Sequence, residues 1–118
     1  MVDDDTILLR LLRLWLEGSG YKVSTAVNGA DALDEMSLET PSAVVLDLEM
    51  PVMDGRTCFR EMRARGIEAP VLILSAYNAK QAQRELQAEA SMNKPFDPGE
   101  LSDTISELVG DRGRKAHV

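Results

Sequence analysis

One stretch near the middle of the chain, Leu46-Asp47-Leu48-Glu49-Met50-Pro51-Val52-Met53-Asp54-Gly55, limits the fold more than any other. It follows Ser42-Ala43-Val44-Val45, so an unbroken apolar run ends at an aspartate and gives way to Met-Pro and Asp-Gly. An apolar run without alternation fits a strand covered on both faces, as in a parallel sheet. Pro51 holds Met50 out of the helical region and Asp54-Gly55 is a turn signal, so the chain leaves that strand sharply. Asp47 then stands at the carboxyl end of a central strand, where open α/β sheets keep their ligands. Taken alone, Asp47 could equally be a cap for the loop behind it. The rest of the chain has to supply the decision.

Strands and helices alternate on either side. Met1-Val2 can be only the stub of a first strand, with Asp3-Asp4-Asp5 immediately behind it. From Thr6, Leu8, Leu11, Leu12, Trp15 and Leu16 fall at helical spacing, with Asp5 as the N-cap and Gly18-Ser19-Gly20 as the stop. On this reading Trp15 and the methionines are core. Tyr21 to Val27 reads as a second strand, and Asn28 caps a helix that turns Ala32, Leu33 and Met36 inward. A helix from about Thr57 to Arg65 follows the central strand, with Cys58, Phe59 and Met62 inward and Gly66 at its end. Val71-Leu72-Ile73-Leu74 is a second buried run closed by Ser75-Ala76, and Ala79 to Ala90 reads as a helix with a thin inner face. Ser91-Met92-Asn93 makes a short last strand before Lys94-Pro95-Phe96. Asp97-Pro98-Gly99-Glu100 opens a final helix on Leu101, Ile105, Leu108 and Val109. Five such repeats predict an α/β fold, a three-layer sandwich around a five-stranded parallel sheet with its first strand truncated. The domain is expected over residues 1–109. A polar tail over 110–118, made basic by Arg112, Arg114 and Lys115, is expected to be loose, with His117 in it.

Composition removes several classes of function. A net charge of −7 argues against nucleic-acid or anionic-membrane surfaces, which need a basic footprint. No apolar run reaches the roughly 20 residues of a membrane span, and the acidic start lacks the basic opening of a signal peptide. A cytoplasmic location is the expectation. With one cysteine, Cys58, and one histidine, His117, a disulfide, a zinc site and Ser-His or Cys-His catalysis are not expected. Cys58 is expected to pack as a small hydrophobe.

In a parallel α/β sheet the strand ends converge, bringing Asp3, Asp4, Asp47, Ser75 and Lys94 to one edge. Two carboxylates ~4 Å apart repel by about 4 kcal/mol at an effective dielectric near 20. Either one is protonated or a divalent cation neutralises them, and magnesium suits hard oxygen ligands beside a phosphate. A carboxylate nucleophile, a hard metal, a hydroxyl and a lysine are the parts of phosphoryl transfer to aspartate.

Asp3-Asp4 after Val2, Asp47 in Leu-Asp-Leu-x-Met-Pro-x-Met-Asp-Gly, Ser75-Ala76 after an apolar strand, and Lys94-Pro95-Phe96 together resemble the response-regulator receiver domain. The resemblance covers residues 1–109. It implies the flavodoxin-like doubly wound sheet, order 2-1-3-4-5, and makes Asp47 the phosphoacceptor. Asp4, Asp47 and the backbone carbonyl of Glu49 would hold Mg2+, with Asp3 acting through a water. Lys94 would pair with the phosphoryl group, Ser75 would hydrogen-bond it, and the backbone at Ala76 and Leu48 would donate to it. The Lys94-Pro95 bond would be cis. The implied partners are a sensor histidine kinase or phosphotransfer protein as donor and a downstream protein as target, met through the face of the last two helices and last strand. Such a protein is not an enzyme in the ordinary sense, although it catalyses its own phosphoryl transfer and dephosphorylation. Two rivals stand beside this reading. One is a degenerate receiver that binds without phosphorylation. The other is an aspartate-nucleophile phosphatase, for which Glu49 would be a loose match to the second acid.

The chain departs from the family pattern in three places. Ser91 stands where receivers carry a switch tyrosine or phenylalanine, with Gln87-Ala88 in place of the usual Gly-Ala. Glu49 and Tyr77 occupy places that in the family flank the attacking water and tune the lifetime of the acyl phosphate. Finally, only Met1 and Val2 precede Asp3, where the first strand normally runs about five residues, or ~16 Å. That strand is interior, so its loss would leave neighbouring backbone groups unpaired at ~1–3 kcal/mol each. The expectation is that residues belong upstream of Met1. A strand donated by a second chain, making a homodimer, or water in the gap are the alternatives.

Overall fold

The structure, a computed structural model, describes residues 1–110 and 116–118. Arg112, Arg114 and Lys115 of the expected basic tail lie outside the described residues. Among the described residues, five helices and three strands follow one another as α1 (Thr6–Gly18), α2 (Gly29–Leu38), β1 (Val44–Asp47), α3 (Gly55–Ala64), β2 (Val71–Ser75), α4 (Ala79–Leu86), β3 (Ala90–Asn93) and α5 (Pro98–Val109).

The two apolar runs become β1 and β2, buried along their whole length and paired in parallel from Val44 opposite Val71 to Asp47 opposite Leu74. β3 pairs in parallel on the far side of β2. Because side chains alternate across a strand, Val44, Leu46, Val71 and Ile73 face one way, while Val45, Leu72 and Leu74 face the other. The first set packs against Leu33, Met36, Phe59, Met62 and Leu86 of α2, α3 and α4. The second packs against Leu9, Leu12, Leu16, Leu101 and Ile105 of α1 and α5. Helices on both faces of a parallel sheet make the doubly wound, three-layer architecture.

The first two strand positions are more fragmentary than the sequence predicts. Val2 bridges Ala26 on one side and Leu46 on the other, both in parallel, so the spatial order 2-1-3-4-5 holds. Tyr21 to Val27 is not a continuous strand, since its ladder reduces to single bridges at Lys22 and Ala26. The physical reason is the short stub, which offers pairing only at Met1 to Asp3: Ala26 N–H donates to the Met1 carbonyl and Asp3 N–H to the Ala26 carbonyl. The rest of the expected gap is filled by residues 116–118 of the same chain. Lys22 N–H donates to the Ala116 carbonyl, Val118 N–H to Lys22, Ser24 N–H to Val118, and Ser42 N–H to His117, at 2.7–3.0 Å. His117 is therefore not loose: its Nε2 lies 2.6 Å from Ser24 Oγ.

Helix α1 also differs from its expected stripe. Leu9, Leu12 and Leu16 are buried, whereas Leu11 is 60% and Trp15 50% exposed. Leucines stand at 8, 9, 11, 12, 14 and 16, so two overlapping stripes compete, and sequence periodicity alone does not choose between them. The capping readings hold: Asp5 accepts from the N–H groups of Ile7 and Leu8, Asn28 from Asp31, and Asp97 from Gly99. Cys58 is fully buried, and burial pushes its thiol up to about 11. No helix among the described residues is long and apolar enough to cross a membrane.

Candidate functional site at the carboxyl edge of the sheet

The ends of the strands assemble the site. Asp47 is the last residue of β1, Ser75 the last of β2, and Lys94 follows β3 directly. Asp3 follows the Val2 bridge between β1 and Ala26, which sets it beside Asp47. Lys94 is carried one step past the sheet by its N–H bond to the Ser75 carbonyl at 2.8 Å, and the peptide bond to Pro95 is cis. Gly55 closes the loop after β1. A β-carbon there would lie 2.3 Å from the Asp47 carbonyl and 2.7 Å from Leu48 Cα, so the loop can fold back only on glycine.

Asp3 and Asp47 are both buried, and one cation serves them. Lys94 Nζ is 2.7 Å from Asp3 Oδ2 and 3.3 Å from Asp47 Oδ1. Burial, reinforced by the Asp3 charge and opposed by Lys94, raises the Asp47 carboxyl to about 6. Burial alone would depress Lys94, but its hydrogen bond to Asp3 and the charges of Asp3 and Asp47 raise it instead. Asp4 is exposed at the mouth of the site, and one carboxylate oxygen from each of Asp3, Asp4 and Asp47 lies within 4.8 Å of the others. Three carboxylates against one lysine leave two negative charges on hard oxygen donors, which matches a divalent cation such as Mg2+. The residues present fit such an ion.

Ser75 is oriented differently from the expectation. Its Oγ lies 2.9 Å from Glu49 Oε2 and 2.7 Å from the Tyr77 carbonyl, and it accepts the Tyr77 N–H at 3.0 Å. Ala76 N–H donates to Glu49 Oε1 at 2.7 Å. The Glu49 carboxylate, which the sequence suggests only as a loose match to a phosphatase acid, is thus a full member of the site through Ser75 and Ala76. Leu48 N–H, expected to be free for a phosphoryl oxygen, is engaged with the Leu74 carbonyl at 3.0 Å as the β1–β2 ladder runs on. Ser91 lies half-buried with its hydroxyl 2.6 Å from Gln83 Oε1, and Tyr77 is exposed. Asn93, which no sequence signal marked, ties β3 to α4 by accepting the Ala79 N–H at 2.8 Å.

A model of the response regulator receiver domain matches residues 1–106. The chain is 39% identical over 119 residues to the transcriptional regulatory protein PrrA of Mycobacterium leprae, spanning 98% of this chain and 51% of that one. It is 35% identical over 112 residues to the alkaline phosphatase synthesis transcriptional regulatory protein PhoP of Bacillus subtilis, spanning 92% and 47%. The chain covers about half the length of these relatives. Among solved structures, the receiver domain of the Francisella response regulator 1452 superposes with a TM-score of 0.85 at 27% identity, over 92% of both chains. The response regulator TrrA of Thermotoga maritima, solved in complex with Mg2+ and BeF, superposes at 0.80 with 30% identity, over 91% and 94%. The chain belongs to the response-regulator receiver family. Receiver domains are phosphoryl-accepting signalling modules of two-component systems, and they bind Mg2+ at their acidic pocket.

Proposed function

We propose that this chain accepts one phosphoryl group on Asp47 from a phosphohistidine donor, a sensor histidine kinase or a phosphotransfer protein, and relays the event to a protein target. The observation that carries the proposal is the convergence, from separate strand ends, of a buried Asp47, the cation Lys94, the carboxylates Asp3 and Asp4, and the hydroxyl and amide of Ser75 and Ala76. Mg2+ held by Asp4, Asp47 and the Glu49 carbonyl, with Asp3 acting through water, would neutralise the cluster and draw phosphate oxygens toward it. Asp47 attacks phosphorus with one carboxylate oxygen. The O–P bond forms as the donor's N–P bond breaks, and the electron pair stays on the histidine nitrogen. Burial and the Asp3 charge raise the Asp47 carboxyl to about 6 in the metal-free protein, and a divalent cation beside it would favour the ionised form that attacks. Lys94 screens the incoming charge and holds the product oxygens. Ser75 and Ala76 donate to those oxygens, a contact that favours one arrangement of the loop between β2 and α4 and passes to the face of α4, β3 and α5. The receiver takes in residues 1–109 together with 116–118, which pair into its sheet, and we place it in the cytoplasm, where its donor would act. The phosphatase alternative draws no support from Glu49, whose two carboxylate oxygens are already engaged.

The test is intact mass after incubation with a small acyl-phosphate donor. One phosphoryl addition is expected with Mg2+ and none with a chelator. Equal gain in both would overturn the proposal.

A further inference from the structure

We propose that Glu49 is an internal stand-in for the phosphoryl group, which occupies the anion cradle of the resting protein and must be expelled when Asp47 is modified. The inference rests on the receiver reading above. It begins from an overlap: the two donors available to a phosphoryl group on this side of Asp47 are the Ser75 hydroxyl and the Ala76 amide. Both already meet one carboxylate, Ser75 Oγ at 2.9 Å from Oε2 and Ala76 N–H at 2.7 Å from Oε1. The contact is two-pronged and charge-assisted, the strongest kind of hydrogen bonding a surface side chain makes. Register fixes where the cradle lies. Asp47 pairs with Leu74, so Ser75 and Ala76 follow directly beside it, while Glu49 is only two residues further along its own loop.

Two anions cannot share these donors, because each donor has one proton and like charges at contact repel. A phosphoryl oxygen therefore enters only as Glu49 leaves. The remainder of the Glu49 side chain is exposed, so the displaced carboxylate finds water without disturbing the core. Displacement has a second consequence. The Ser75 hydroxyl, whose one proton now lies between Glu49 and the Tyr77 carbonyl, loses the first of these acceptors and has only the Tyr77 carbonyl to leave when it turns toward Asp47. Glu49 is thus a positioning residue that sets the threshold for occupying the cradle, and it opposes both tetrahedral beryllofluoride on Asp47 and the phosphoryl group itself.

Glu49→Ala and the near-isosteric Glu49→Gln are compared with wild type by titrating beryllofluoride at saturating Mg2+. The Ala76 amide proton is followed separately in metal-free protein. Removing the competing acceptor should tighten beryllofluoride binding about tenfold in the Ala variant, with Gln intermediate. In metal-free protein the Ala76 amide should move upfield in the Ala variant, which a change in global stability would not produce. Wild type that binds the analogue while neither variant binds it more tightly overturns the inference and leaves the receiver reading standing. Binding by the variants but not by wild type supports the inference in its extreme form. If no protein binds the analogue, the receiver reading falls and this inference falls with it.

Discussion

The two flanks of the sheet reach the same end by different means. On one flank β1, β2 and β3 form a continuous parallel ladder whose two inner strands are wholly buried. On the other, three short pieces are set side by side: Met1 to Asp3, Tyr21 to Ala26, and residues 116–118. The first flank supplies Asp47, Ser75 and Lys94, and the second supplies Asp3 and Asp4. The charged site is therefore the seam between a rigid half and an assembled half. Chemistry that needs Asp3 near Asp47 depends on pairing only a few bonds deep.

The largest effect should come from the continuous flank. Ile73→Ala removes a fully buried side chain from the centre of β2 and should destabilise by about 2–5 kcal/mol in urea unfolding. A cost below about 1 kcal/mol would mean that the ladder is not the stabilising half.

An effect of intermediate size is expected at the seam itself. The Asp47 carboxyl is raised from an ordinary 3.8 to about 6, first by burial and then by Asp3. The folded state thus holds the proton more tightly than the unfolded chain. Stability from this group is complete below the unfolded value and is lost as pH rises from about 4 to about 6. The loss is roughly 3 kcal/mol at most, at 1.36 kcal/mol per unit. In metal-free protein, wild type should lose stability over that window relative to Asp47→Asn. Parallel curves for the two proteins would remove the charge conflict on which the seam is argued.

The smallest effect sharpens the contrast from the other side. Deleting residues 116–118 leaves the N–H groups of Lys22, Ser24 and Ser42 without their partners. At net values near 1 kcal/mol per bond, with water able to replace part of each, the expected loss is about 1–3 kcal/mol. A loss as large as that of Ile73→Ala would show that the pieced flank is as integral as the ladder.

The same contrast explains what the sequence made legible. Unbroken apolar runs at 43–46 and 71–74, each closed by a polar residue, mark β1 and β2 and set Asp47 and Ser75 at their ends, while Lys94 is legible only from the short Ser91-Met92-Asn93 strand and the Pro95-Phe96 behind it. The pieced flank depends on contacts between residues over 90 positions apart, such as Ser24 with His117, and no local pattern encodes them. That is why His117 reads as a free tail residue and Tyr21 to Val27 as an uninterrupted strand. Helix α1 failed for a different reason: six leucines over nine positions satisfy two stripes, and only the position of its neighbours decides that Leu9 goes in while Trp15 stays out. The Glu49 carboxylate is legible only as a loose match to a second acid, not as a partner of Ser75 and Ala76. Its role depends on a side-chain direction that spacing does not carry.

The measurement that bears most directly on the account is chemical mapping of the modified residue. Protein treated with a small acyl-phosphate donor and Mg2+ is reduced with borohydride, which converts an aspartyl phosphate to homoserine, and is then digested and sequenced by mass spectrometry. The account predicts homoserine at position 47 alone, and none in Asp47→Asn. Homoserine at Asp3 or Asp4, or an unchanged position 47 in protein that has gained the phosphoryl mass, would contradict it.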